Sequence, residues 1–379
     1  MNKNLHISLT QFLNESRVLK ETQTLVESGF VNEVFVTALW EEGLEEHVKI
    51  DNNRTLWRVP LKSRNWSKSL LFQLFKYIEY AIKVGKYAKK NKITIVTIHG
   101  LGLLPLGFLI KLTCGAKLVY DCHELETEMF GLHGMRKRAA KWIERLFIST
   151  VDLVIVVSQS INDWYVDAYN LENICTVLNC PHKVILKRTD RLQTELGIPM
   201  DKKIVLYQGG LQEGRGIEEL LSVFSRWNDE LHVLVFMGYG GLELKVKEAA
   251  YKFPNIYYQP AVPPDIVLSY TCSAHVGVSY IYNDSLNDRY CLPNKLFEYL
   301  MAGLPVLVNN APEMKRLVEE RQVGMVLEDM TPEVLTRALN NLDLMDQEAL
   351  YVRIAETADD YTWEKQALVL VEAHQKWLV

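Results

Sequence analysis

The chain has no Cys-x-x-Cys pair, no Asp-x-Asp tripeptide, no internal repeat and no low-complexity run. Its six cysteines, at 114, 122, 175, 180, 272 and 291, stand apart. That spacing argues against a zinc ribbon or a dithiol redox centre and suits reduced thiols. The longest apolar run, residues 101–112, is shorter than the roughly 20 residues that cross a bilayer. The first seven residues lack the apolar centre of a signal peptide, so a cytoplasmic protein is expected. Positive charge is not in excess either. The formal net charge is −5, which argues against a dedicated nucleic-acid binder. What remains is ordinary globular composition, 48% hydrophobic and 23% charged, in 379 residues, enough for two or three domains.

Short apolar runs alternate with helical patterns along the whole chain. Strands are predicted at 5–9, 33–38, 93–98, 117–120, 153–157, 174–177, 204–207, 231–237, 256–258, 276–279 and 306–308. Such alternation predicts parallel sheets covered by helices, an α/β fold. A break falls near 179–197, where Asn179-Cys180-Pro181-His182 is followed by a polar helix with Lys187, Arg188, Arg191 and Glu195. We therefore expect two doubly wound, Rossmann-like domains facing a central cleft, with ligands at the carboxyl ends of the strands. The expected division is 1–180, 181–358, and a last helix, 359–379, packing back on the first domain.

Two segments carry chemistry. In the first, Pro293 and Asn294 are expected to start a helix, with Asn294 as its cap. Phe297, Leu300 and Met301 give that helix one apolar face, and Gly303 and Pro305 stop it. Lys295 and Glu298 then lie one turn apart near its positive end. A lysine at a helix N-terminus suits a phosphate, and a carboxylate one turn on suits a pair of hydroxyls. In the second, strand 204–207 runs into Gly209-Gly210 and then Arg215-Gly216, ahead of a helix expected over 217–227. Glycines admit a ligand close to the backbone, and an arginine there can fork onto a diphosphate. Two phosphate-type turns after strands point to one nucleotide-sugar site. The alternative for each is an ordinary turn with solvated charges.

The ordered set Gly209-Gly210-Leu211, Arg215-Gly216-Ile217, Pro293-Asn294-Lys295-Leu296-Phe297-Glu298-Tyr299 and Ala302-Gly303-Leu304-Pro305-Val306 resembles the donor half of a retaining glycosyltransferase of family 4, with the GT-B fold. Tyr120-Asp121-Cys122-His123-Glu124, the strand 151–158, Val177-Leu178-Asn179 and Tyr361-Thr362-Trp363-Glu364 resemble further marks of that family. The resemblance implies a hexosyltransferase that moves a sugar from a nucleotide sugar, a UDP-sugar, to a glycan or lipid-linked acceptor in polysaccharide or glycoconjugate synthesis. It implies no metal and no cofactor beyond the donor. Arg215 and Lys295 would stabilise the departing diphosphate, Glu298 would hold the ribose, and His123 would contact the sugar, with Glu124 fixing its tautomer. Gly209, Gly210, Asn294, Leu296, Tyr290, Gly238 and Ala261 complete the implied donor-binding set. Glu15-Ser16-Arg17 resembles a first-loop position that borders acceptor and phosphates.

The chain departs from the family pattern at three positions. Tyr290 stands where the family's first glutamate is usual, Gly210 where arginine is common, and Arg215 where lysine is usual. The polar segment from Tyr282 through Asn283 to Asp288 is expected to form a loop over the sugar. Gly238-Tyr239-Gly240-Gly241 is expected to form a tight turn backing the nucleoside, with residues 258–263 against the base.

Residues 62–92 are a separate feature. They hold Lys62, Arg64, Lys68, Lys76, Lys83, Lys86, Lys89, Lys90 and Lys92 against one acid, Glu79, with Trp66, Phe72, Phe75 and several leucines between. A second basic run has Arg136, Lys137, Arg138, Lys141 and Arg145 around Trp142. Either these helices face the core with a solvated basic side, or they sit peripherally on the inner face of an anionic membrane. Two other activities stay open on the sequence: a hydrolysing UDP-sugar 2-epimerase, and a GT-B partner subunit that only binds.

Overall fold

The computed structural model describes residues 2–13, 15–67, 69–227, 230–282 and 284–379. Lys68 of the basic stretch and Asn283 of the polar segment lie outside these. The chain divides into two compact units, one of Met1–Val177 with Ala367–Val379, the other of Leu178–Gln366.

Among the described residues, the first unit contains β1 (Lys3–Ile7), β2 (Glu33–Leu39), β3 (His47–Lys49), β4 (Arg54–Val59), β5 (Ile95–His99), β6 (Lys117–Cys122), β7 (Leu153–Val156) and β8 (Ile174–Thr176). They form one sheet in the order β3-β4-β2-β1-β5-β6-β7-β8. The β3–β4 pair is antiparallel, while β1 is parallel to both β2 and β5, and β6 to β5 and β7. Leu5, Ile7, Val96, Ile98, Leu118, Val119 and Val154 are fully buried, as expected of parallel strands covered on both faces.

The sequence reading missed β3 and β4. Arg54 and Arg58 make β4 look solvated, yet both are buried. The Arg54 guanidinium donates to Leu19 O, and that of Arg58 to Gln11 O, Phe12 O and Glu45 O. Carbonyl oxygens, and for Arg54 also the Asp51 carboxylate at 2.7 Å, satisfy the charges, and the stems pack.

The second unit contains β9 (Lys203–Gln208), β10 (His232–Gly238), β11 (Ile256–Pro260), β12 (Val276–Ser279), β13 (Val306–Asn309) and β14 (Gly324–Leu327). Their order is β11-β10-β9-β12-β13-β14, all parallel. Alternate residues feed opposite cores: Leu206 and Val235 join Phe297 and Leu300, while Val205 and Leu234 join Ile217 and Phe224. The strand order reverses between β9 and β12 here and between β1 and β5 in the first unit. Such reversals are where open α/β sheets hold ligands. β14, short and half-buried, was also missed.

Helix ends differ from expectation in four places. Pro293, at φ −73° and ψ 143°, is the cap of helix Asn294–Met301, so Asn294 is its first residue and caps nothing. Proline's fixed φ and extended ψ hold it just outside the helix. The helix after Gly216 is Ile217–Phe224, and Trp227 instead stacks on Phe224 with ring centres 4.8 Å apart. Lys187 and Arg188 precede the short helix Arg191–Leu196 rather than joining it. The later part of the polar segment is no loop, because Ser285 Oγ accepts from Asp288 N–H and starts helix Leu286–Tyr290.

Candidate functional site

In the second unit, the turns after β9 and β10 are locked together. Gly209 N–H donates to Met237 O at 2.9 Å, and Leu211 N–H to Tyr239 O at 2.8 Å. Gly238 has φ +156°, and a Cβ there would lie 1.9 Å from Gly209 O, so only glycine permits this approach. The Tyr207 hydroxyl donates to Gly210 O at 2.9 Å, and that of Tyr258 to Gly238 O at 3.2 Å. Gly216, at φ +72°, turns the chain into the next helix, and a Cβ there would press on Tyr280 at 2.8 Å.

Lys295 lies across this turn. Its Nζ is 3.8 Å from the centre of the Tyr207 ring, and a Cβ on Gly209 would come 3.6 Å from it. Burial, and then the charge of Arg215, push the Lys295 ammonium down to about 7, against the pull of Glu298. Arg215 is thus close enough to repel it. Among the described residues, neither Arg215 nor Lys295 makes an ion pair. Two cations set together without a carboxylate between them suit an anion. The first turn of helix Asn294–Met301 carries no acid, whereas Ile217–Phe224 carries Glu218 and Glu219 there. The first of these two helix ends is the one suited to a phosphate.

Glu298 is oriented by a relay. The Gln208 side-chain amide donates to its carboxylate, and Gln208 Oε1 accepts from the Thr271 hydroxyl at 2.7 Å. The Tyr299 hydroxyl accepts from Gln208 N–H at 2.9 Å and donates to Val278 O at 3.2 Å, tying β9 to β12 at the reversal. Gln208 thus fixes how the Glu298 carboxylate is turned.

The structure places the remaining expected donor residues as follows. Asn294 is exposed, Ala261 is exposed just beyond β11, and Tyr290 is half-buried at the end of its short helix. The Leu296 side chain is wholly in the core, and its N–H is given to Pro293 O at 3.0 Å. Its part is packing. Sequence reasoning gave no role to Tyr207, Gln208, Thr271 or Tyr299. A glutamine closing an otherwise apolar strand was the available signal.

In the first unit a second polar cluster sits at the other reversal. His6 is on β1, His99 ends β5, Asp121 is on β6 and His123 follows it. Asn4 Nδ2 meets His6 Nε2 at 3.0 Å, His6 Nδ1 meets His99 Nε2 at 2.9 Å, and His99 Nδ1 meets Asp121 Oδ2 at 3.1 Å. His123 Nε2 lies 2.7 Å from the same oxygen. Arg17 forks onto Asp121 at 2.9 and 3.1 Å and touches Glu21 at 2.9 Å.

The protonation pattern follows from Asp121. Its carboxyl is held well below the usual range because Arg17, then His123 and His99, override the cost of burial. An ionised Asp121 only accepts, so His99 donates from Nδ1 and takes the His6 Nδ1 proton at Nε2. Burial, with the neighbouring ring second for His6, holds His6 and His99 below the ordinary histidine range. Burial also lowers His123, but Asp121 outweighs it and the net shift is upward. Glu21 is pushed up to about 8 by burial and the Asp121 charge, against Arg17.

Atoms of His99, Asp121 and His123, and of His6, Glu21 and His99, are near enough together to hold a metal ion. Yet both His99 nitrogens are used in the relay, and the Arg17 charge lies on the carboxylate a cation would need. The arrangement fits a hydrogen-bond relay that aims His123. Its side chain is 35% exposed, against 4% for His99 and 0% for Asp121. Asp121, two residues before His123, is a carboxylate that orients it, a partner the sequence reading did not name. Arg17, 5% exposed, is engaged by Asp121.

The profile of Glycosyltransferase Family 4 matches residues 15–180, and that of Glycosyl transferases group 1 matches 202–343. Among curated relatives, WcaI of Escherichia coli, a glycosyl transferase named for colanic acid biosynthesis, is 25% identical over 217 residues, 52% of this chain. The chain spans about half the length of the curated relatives it matches, 53% and 46% for two of them. Among solved structures, sucrose-phosphate synthase from Thermosynechococcus elongatus has a TM-score of 0.81 at 15% identity, covering 99% of both chains. HepE of Anabaena, solved with UDP-glucose, has a TM-score of 0.75 at 14% identity, covering 99% of this chain and 100% of its own.

Proposed function

We propose that this chain, a two-domain GT-B glycosyltransferase related to family 4 and group 1, moves a sugar from a UDP-sugar to a glycan or lipid-linked acceptor with retention. The observation that carries this is the neighbouring cations Arg215 and Lys295, neither in an ion pair among the described residues, with Lys295 set over Tyr207 in the first turn of helix Asn294–Met301. Bond cleavage moves negative charge onto the diphosphate, and fixed cations aimed there stabilise the transition state more than the ground state. Glu298, held by Gln208, accepts from the two ribose hydroxyls. On the first unit, His123 presents Nδ1 to a sugar hydroxyl while Asp121 holds Nε2. Attack on the face the diphosphate leaves, with a phosphate oxygen taking the acceptor proton, gives retention without a dedicated base. HepE, solved with UDP-glucose, supports a uridine donor for this chain.

The test is a thermal-shift screen of nucleotide sugars followed by assay of UDP release with glycan and lipid-linked acceptors. A ligand that binds the native state raises the midpoint. A UDP-sugar should raise it and give a product whose anomeric configuration matches the donor. No shift with any nucleoside diphosphate sugar would overturn the reading, and an inverted product would overturn retention.

A further inference from the structure

We propose that the first unit docks on an anionic lipid bilayer through the outward faces of three neighbouring helices. This claim stands apart from the transferase reading. The helices Leu70–Asn91, Leu104–Cys114 and Gly134–Phe147 pack side by side in that order. The rings of Phe108 and Phe147, 5.3 Å apart, join the last two.

The first helix begins with Leu70-Leu71-Phe72-Gln73-Leu74-Phe75, and every one of these residues is exposed. Leu70 is 88% exposed and Leu71 61%. Five of these six residues are apolar, a composition that belongs in a core or a membrane, and all six are open to solvent. Trp66 lies edge-on to Phe72 and extends the same surface.

The third helix has its polarity reversed. Its inner side carries Glu144, fully buried and accepting from the Tyr165 and Tyr169 hydroxyls at 2.6 and 2.7 Å. Its outer side carries Met135, Ala139, Trp142 and Leu146 at helical spacing, all exposed, with Trp142 66% exposed. The middle helix fills the gap with exposed Leu109 and Leu112.

Charge selects the occupant. The chain is acidic overall, yet residues 62–92 hold nine bases and one acid. That acid, Glu79, is engaged by Ser63, the Lys62 N–H and Lys83. Arg136, Arg138 and Arg145 stand exposed beside the Trp142 stripe. Apolar and aromatic side chains rimmed by Lys and Arg match acyl chains beneath anionic headgroups. A second copy of the chain would set these bases against themselves, which disfavours self-association. No helix among the described residues is long and apolar enough to cross a membrane, so contact is at the surface.

Co-sedimentation with phosphatidylglycerol–phosphatidylcholine vesicles and with pure phosphatidylcholine vesicles tests this. The protein should bind the anionic vesicles and be released as salt rises. The pair Arg138→Gln with Arg145→Gln should bind about 30-fold more weakly, from the usual contribution of each basic residue at such a surface. Leu71→Gln with Phe75→Gln should lose on the order of tenfold or more from reduced apolar burial. All four positions are exposed, so melting temperatures should not fall. Equal binding to both vesicles, or none to either, overturns the proposal. So does a concentration-dependent dimer that the Leu71 and Phe75 changes dissolve, which would give the face to a second copy.

Discussion

Arg17 and Asp121 in the first unit are 5% and 0% exposed, and each finds the other at 2.9 Å. Around them His6, His99 and His123 complete a chain in which each polar contact has a partner. Arg215 and Lys295 in the second unit are half-buried and near enough for their like charges to repel. A saturated cluster has its charges paired inside the protein, so its work is to hold a geometry. An unsaturated pair leaves its field for something from outside. The same residue types therefore position in one unit and, on the proposed function, bind in the other.

The contrast breaks most visibly if a charge is removed from each side. Asp121→Asn leaves the Arg17 guanidinium buried with only half its partners. It should destabilise by about 3–5 kcal/mol, the usual cost of splitting a buried ion pair. Chemical denaturation would show it, and a loss under 1 kcal/mol would mean Asp121 is not the anchor. Arg215→Ala and Lys295→Ala should leave the melting temperature nearly unchanged but lower turnover by about 100- to 1,000-fold each, as for lost charge-stabilising donors. Unchanged turnover in either folded variant would remove that residue from the diphosphate site.

Smaller effects sharpen the comparison. Glu298→Gln should weaken UDP-sugar binding by roughly 1.5–3 kcal/mol, the range for a charged hydrogen bond, read by calorimetry. The smallest effect is on the ligand-free protein. Lys295→Met keeps the stem over Tyr207 and removes an ammonium that burial and Arg215 both disfavour. It should be neutral or stabilising, by at most about 1 kcal/mol. A clear destabilisation would mean Lys295 has a structural partner after all.

Much of the second unit's site could be read along the chain. Gly209, Gly216 and Pro293 mark turns by their backbone restrictions, and Lys295 and Glu298 share a helix face by spacing alone. The relay in the first unit could not be read that way. His6, His99 and Asp121 lie on three strands, and only the parallel register that pairs His6 with Thr97 and His99 with Asp121 brings them together. β4 was hidden because buried arginines look like surface ones. The basic helices were ambiguous for a related reason: apolar residues at helical spacing read alike whether they face in or out. Burial of Glu144 is what shows that the Trp142 side faces out.

The most direct test of the unsaturated pair is calorimetry of UDP-glucose binding in buffers of different ionisation enthalpy, from pH 6 to 9. The diphosphate diester itself does not titrate there. Lys295, at about 7 without ligand, should be raised by the diphosphate. Below pH 7 the ammonium is already charged, and binding should exchange few protons. Near pH 8 binding should take up close to one proton, and affinity should fall as pH rises beyond 7, an effect absent in Lys295→Met. Tight binding with no proton uptake at pH 8 would contradict the account, and so would no binding at any pH.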